Sequence, residues 1–127
     1  MSLNEYIQTL IVAIQRLDDY GLADSIESQL EVRIEKTAIV SIKVVLINKS
    51  ELHVREYIDG LDEIIRVSYA YQYQSEDKSL IFRYDNAQHK LALGFDEHKH
   101  TKDGSIIARQ LPSINEIIDE VIECLSN

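Results

Sequence analysis

The 127 residues contain one cysteine, Cys124. No disulfide can close within the chain, and a reducing cytoplasm is the expected setting. Long apolar runs are missing as well. Even IVSIKVVLI at 39–47 is interrupted by Ser41 and Lys43 and falls short of the roughly 18 residues a membrane span needs. The first ten residues, MSLNEYIQTL, lack a basic n-region and carry Glu5, which argues against a signal peptide. There is no Gly/Ser linker, internal repeat or low-complexity stretch, so residues 1–127 read as one domain. The phosphate-loop, dinucleotide, zinc-protease and nucleophile-elbow motifs are all absent, and no cofactor is expected.

Cations are scarce. Thirteen Lys and Arg stand against 22 Asp and Glu, a net charge of -9, which speaks against a general polyanion binder. The deficit is uneven, however. Residues 83–102 hold Arg83, Lys90, Lys99 and Lys102 against Asp85, Asp96 and Glu97, and also His89, His98 and His100. That window is the one part of the chain that is not acidic.

Hydrophobic spacing predicts an α+β domain. Leu3, Ile7, Leu10, Ile11, Ile14 and Leu17 mark one face of a helix over about 3–20, with Ser2 and Glu5 spaced as a capping box and Gly21 as its stop. Ile114, Ile117, Ile118, Val121, Ile122 and Leu125 predict a second helix behind Ser113 and Glu116. Between them, alternation predicts about five strands, at 30–35, 39–47, 51–58, 64–74 and 80–85, joined as an antiparallel meander. The two helices are expected to pack on one face of that sheet.

Strand alternation puts Arg83 and Asp85 on the face opposite Phe82 and Tyr84. If helices cover Phe82, Arg83 and Asp85 look outward as a surface ion pair, which solvent screening makes weak. Asp85 and Asn86 are also ordinary turn residues. His98 and His100 share a face if extended, and two imidazoles together suit a proton relay or, alternatively, a metal. Tyr71 and Tyr73 continue a face begun by Ile65, Val67 and Tyr69. They read as packing with hydroxyls at the rim, or as an aromatic surface for stacking bases. Asn86 and Lys99 are further candidate binding residues. His53 and Tyr57 read as structural, and Cys124 as inert.

The runs ELHVREYI, YAYQYQSEDKSLIFRYDNAQHK and EHKH together resemble the TumE family of toxins from prokaryotic type II toxin–antitoxin systems. The likeness covers roughly residues 30–125, and RYDNA-x-H is its specific part. Family positions fall on Glu56, on Tyr71, Tyr73 and Gln74, on Arg83, Tyr84, Asp85, Asn86 and His89, and on His98 and His100. The chain departs from the family at Gln88 and Lys90, and at Asp96 and Glu97, where the family carries Pro-His-His-like runs.

The resemblance implies a toxin neutralised by a neighbouring antitoxin, a helix-turn-helix protein, with RNA as the target class. Homodimerisation is a further expectation. The chemistry expected is metal-independent ribonuclease action: His89 or His98 as base, His100 as acid, Arg83 for phosphorane charge, and Asp85 orienting an imidazole. The alternative is a non-enzymatic binding module whose 83–100 region is a partner or metal-binding surface.

Overall fold

The computed structural model describes residues 1–34, 36–87, 97–110 and 112–126. Leucine and isoleucine at helical spacing build α1, Leu3–Asp19, and α2, Ile114–Leu125. Both start at the expected capping boxes. Ser2 Oγ accepts from the Glu5 amide at 3.1 Å, and the Glu5 carboxylate accepts from the Ser2 amide at 3.2 Å; Ser113 and Glu116 repeat the arrangement. Helix α1 ends where Gly21 takes φ +72°, a conformation that suits glycine.

The strands are β1 (Ala23–Val32), β2 (Thr37–Leu46), β3 (Glu51–Asp59), β4 (Ile65–Gln74), β5 (Leu80–Asp85), β6 (His98–Thr101) and β7 (Ile106–Ala108). They lie in chain order in one sheet, each antiparallel to the next. The described residues therefore form seven strands where alternation suggested about five. The two extra strands, HKHT and IIA, are short and polar or barely long enough to alternate. They pair because Gly104, at φ +88°, turns the chain between them, with the Thr101 amide donating to Ser105 O. Strand β1 also starts seven residues before the expected position. Its stretch ADSIESQ lies at the sheet edge and is exposed along almost its whole length, so burial imposes no apolar pattern on it.

Both helices cover one face of the sheet. Ile7, Leu10, Ile14 and Leu17 of α1, and Ile117, Ile118 and Val121 of α2, bury against Val40, Val44, Leu52, Val54, Tyr71, Tyr73, Phe82 and neighbours. Each such apolar side chain contributes about 1.5–3 kcal/mol. Arg16 joins the helices by contacting Asp119 at 2.7 Å and Asn115 at 3.0 Å. The outer side of this layer is acidic, with Asp18, Asp19, Glu116, Asp119 and Glu123 exposed. No described helix is long and apolar enough to cross a membrane.

A bulge in β4 corrects one expected face. Tyr57 pairs with Ser68 but Ile58 pairs with Arg66, leaving Val67 as the inserted residue. Arg66, instead of Val67, then joins Tyr69, Tyr71 and Tyr73 on the helix side. Ile65 and Val67 are about half exposed.

Candidate active site on the helix-free face

The sheet register collects side chains, most of them polar, from six strands on the face that the helices leave open. One cross-strand row runs Glu27, Lys43, His53, Gln72, Arg83, His100. The next runs Gln29, Ser41, Arg55, Ala70, Asp85, His98. Directly opposed side chains on neighbouring strands lie close enough to interact. The register therefore places Arg83 beside His100 and Asp85 beside His98.

Asp85 is the centre of this group. It is 2% exposed, so it is not the screened surface carboxylate that alternation suggested. Its Oδ2 accepts from Arg83 Nε at 2.7 Å and stands 3.1 Å from His100 Nε2. Its Oδ1 accepts from the Ala87 amide at 3.1 Å and lies 3.3 Å from His98 Nδ1. Burial alone pushes the carboxyl pKa up. The hydrogen bonds from Arg83 and the Ala87 amide, with His98 adding to them, outweigh burial and hold it below the usual aspartate range. The charged form is thus fixed between two imidazoles and a guanidinium. Arg83 also donates to Gln72 Oε1 at 2.7 Å through NH1, which fixes the guanidinium along the row.

Access differs among these groups. The side chains of Arg83 and His100 are 35% and 20% exposed, whereas that of His98 is 2% exposed. His98 is therefore closed to a ligand as the fold stands, and His100 is the described imidazole of the pair that meets solvent. His89 lies outside the described residues.

The other candidates separate from this group for clear physical reasons. Lys99 alternates to the helix side, opposite His98 and His100. There its ammonium contacts Glu120 at 2.9 Å and sits 5.0 Å from the Tyr84 ring centroid. Tyr84 also donates to Glu120, at 2.6 Å, so Lys99 and Tyr84 fasten α2 to the sheet, away from the open face on which Arg83 and His100 lie. Tyr71 and Tyr73 are 0% and 1% exposed, so their rings offer no stacking surface. Nor do their hydroxyls sit at a rim: Tyr71 donates to Glu56 at 2.6 Å, and Tyr73 shares a 2.6 Å hydrogen bond with Ser50. Asn86 spends its side chain on backbone, accepting from the Tyr69 amide at 3.1 Å and donating to Val67 O at 3.0 Å. It closes the end of the β4–β5 pair. Glu56 is fully buried, and Tyr6 also donates to it, at 2.5 Å. Among the described residues no three His, Cys, Asp or Glu side chains are grouped to hold a metal ion.

Among the described residues, two hollows open on this face. The larger, about 490 Å³, runs from Glu27 and Gln29 across Lys43, His53 and Arg55 to Arg83. The smaller, about 190 Å³, lies over Ala70, Arg83, Asp85 and Ala87 and also touches Arg55. Arg55 and Arg83 border both. Lys43 and Arg55 are thus functional candidates that local sequence patterns do not mark, and His53, which reads as structural in the sequence, lies beside them. Their alternation in IVSIKVVLI and ELHVREYI signals only an outward face, and it takes the cross-strand register to align them with Arg83. His53 bonds Glu51 at 3.1 Å, and Lys78 joins the same carboxylate at 2.5 Å. Hydrogen bonds from Lys78 and then His53 hold Glu51 down at about 2.

No curated protein and no solved structure matches the chain. The family model described as Toxin TumE matches residues 13–126, a span that takes in every strand, α2 and all the residues of the two cross-strand rows. The chain belongs to the TumE toxin family.

Proposed function

We propose that this chain is the toxin of a type II toxin–antitoxin pair and that it cleaves RNA without a metal ion. The observation that carries the reading is the buried Asp85 carboxylate, held ionised between His98 and His100 with the Arg83 guanidinium beside it. Such a group suits transesterification. The 2′-oxygen attacks phosphorus as its proton passes to a base; the bond from phosphorus to the 5′-oxygen breaks, and an acid protonates the leaving oxygen. The products are a 2′,3′-cyclic phosphate and a 5′-hydroxyl.

His100 takes the acid role, since Asp85 orients its ring through the 3.1 Å contact at Nε2 and the side chain is partly open to solvent. Arg83 stabilises the charge that builds on the phosphorane oxygens. The base role goes to His89 over His98, because the burial of His98 keeps its ring from a substrate. His98 then acts as a positioning residue that shares Asp85. The partner is a helix-turn-helix antitoxin, and a basic segment of it would suit the acidic outer side of α1 and α2.

The test combines expression in cells with purified protein on total RNA in the presence of EDTA. The reading expects growth arrest and RNA decay, both lost in Arg83→Ala. Undegraded RNA, with the same arrest from Arg83→Ala as from wild type, would end the ribonuclease assignment. Arrest without turnover would instead favour a non-enzymatic binding module.

A further inference from the structure

Resting on the ribonuclease reading, we infer that Lys43 and Arg55 form a phosphate-binding track on the open sheet face. This track would hold single-stranded RNA alongside the bond that is cut. Two observations give these side chains that role.

The first is pairing. Arg16, Arg33, Lys49, Lys78, Arg83 and Lys99 are each closed on a carboxylate. Lys43 and Arg55 end in no hydrogen bond or ion pair with any described residue, although Glu51 feels the Lys43 charge. Arg55 is exposed and Lys43 is partly so. Two cations held on rigid central strands, in an acidic chain, are available to an anion.

The second is position. Both border the 490 Å³ hollow that ends at Arg83, and Arg55 also borders the smaller hollow over Asp85. Lys43, His53, Gln72 and Arg83 occupy one cross-strand row. Three strand spacings separate Lys43 from Arg83, about 14 Å, which is the length of about four stacked nucleotides at about 3.4 Å each. Gln72 and His53 supply donors and acceptors between the two charges.

Charge argues for a single strand. Lys43, Arg55 and Arg83 face Glu27 and Asp85 across these rows, and Asp85 is already matched by Arg83. Glu27 stands beside Lys43 at the far end, and a second phosphate backbone laid over β1 would meet it. One strand lying between β2 and β5 avoids that carboxylate. A single strand also leaves the sugar free to bring its 2′-oxygen in line with the leaving group, which a duplex resists.

The experiment measures binding, not cleavage. A fluorescein-labelled 2′-O-methyl RNA 12-mer has no 2′-hydroxyl to react, so its anisotropy reports affinity whether or not the protein is a ribonuclease. Each phosphate contact on a single strand contributes about 0.7 to the slope of log K against log salt, hence about fivefold in affinity at about 0.1 M salt. Lys43→Gln/Arg55→Gln should weaken binding about 25-fold and flatten the slope by about 1.4. Arg33→Gln/Lys36→Gln removes the same two charges from the β1–β2 hairpin and should change neither. Circular dichroism confirms that the variants fold; should the double variant not fold, Lys43→Gln and Arg55→Gln singly should each show about half the slope change.

Unchanged affinity and slope in the Lys43 and Arg55 variants would overturn the track, as would an equal loss in the hairpin control. Tighter binding of the corresponding duplex would overturn the single-strand assignment. The expected binding pattern from a protein that leaves natural RNA uncut would support the track and overturn only the ribonuclease reading.

Discussion

Replacing Asp85 by Asn removes one charge and keeps the shape. Oδ1 can still accept from the Ala87 amide, but the atom at the Oδ2 position becomes an NH₂ aimed at Arg83 Nε, now 2.7 Å away. Two donors then face each other in a site that is 2% exposed. Losing a buried hydrogen bond to a charged partner costs about 1.5–3 kcal/mol, and two are weakened here, those from Arg83 and His98. Arg83 is about a third exposed, so solvent recovers part of its share. The expected destabilisation is about 3 kcal/mol, which lowers Tm by about 10 °C for a chain of this length. Urea unfolding followed by circular dichroism measures it. The pH dependence has a definite sign. Because Asp85 titrates below its ordinary value in the fold, its contribution is present above about pH 3.9 and fades as pH falls through the lower folded value. Wild type and Asp85→Asn should therefore converge in stability only below about pH 4. A loss under about 0.5 kcal/mol at neutral pH, too small for a broken buried contact, would refute the view that Asp85 anchors this face.

The buried tyrosines give further tests. Tyr71→Phe deletes a hydroxyl that donates to the fully buried Glu56 and should cost about 2 kcal/mol. Glu56→Leu should cost more, about 3–5 kcal/mol, because it strands the Tyr6 and Tyr71 hydroxyls and the nearby Arg66 charge; chemical unfolding checks both. Burial, with the Glu56 charge next, pushes the Tyr6 and Tyr71 pKa values well above the ordinary one. Their stabilisation is complete below about pH 10 and is lost above it. Tyrosinate absorbance should thus rise for the exposed tyrosines first, with the buried rings following only as circular dichroism reports unfolding. Lys99→Met removes the contact to Glu120 but not the site, so it should lower stability by about 1 kcal/mol and leave RNA decay unchanged.

The parts of the fold legible from the sequence are those where burial imposes a period. Helices α1 and α2 and strands β2 to β5 all bury one face, and their apolar residues recur accordingly. Strand β1 has little to bury, and β6 and β7 are too short to establish a period. Site residues follow the same logic. Arg83 and Asp85 could be placed on the outer face, and His98 and His100 on a common one, from alternation alone. What alternation could not supply was depth. Asp85 is covered because β6 pairs beyond it, and no local pattern announces that pairing. Lys99 shows the same limit: it sits in the histidine window, yet one step of alternation sends it to the opposite layer. Lys43 and Arg55 were invisible as partners of Arg83, because a register spanning four strands aligns them and no spacing in the chain encodes it. The family likeness rested on RYDNA-x-H, and within that block Tyr84 and Asn86 hold structure whereas Arg83 and Asp85 form the charged centre.

The most direct test of the central claim examines the ends of the cleaved RNA. An oligonucleotide incubated with the purified protein in EDTA should yield a 2′,3′-cyclic phosphate and a 5′-hydroxyl. Cleavage should fail when the sugar at the cut position is 2′-deoxy, and should fall at least 100-fold in His100→Ala, the scale of a lost general acid. Intact RNA from folded wild-type protein, or products ending in 3′-hydroxyl and 5′-phosphate, would contradict it.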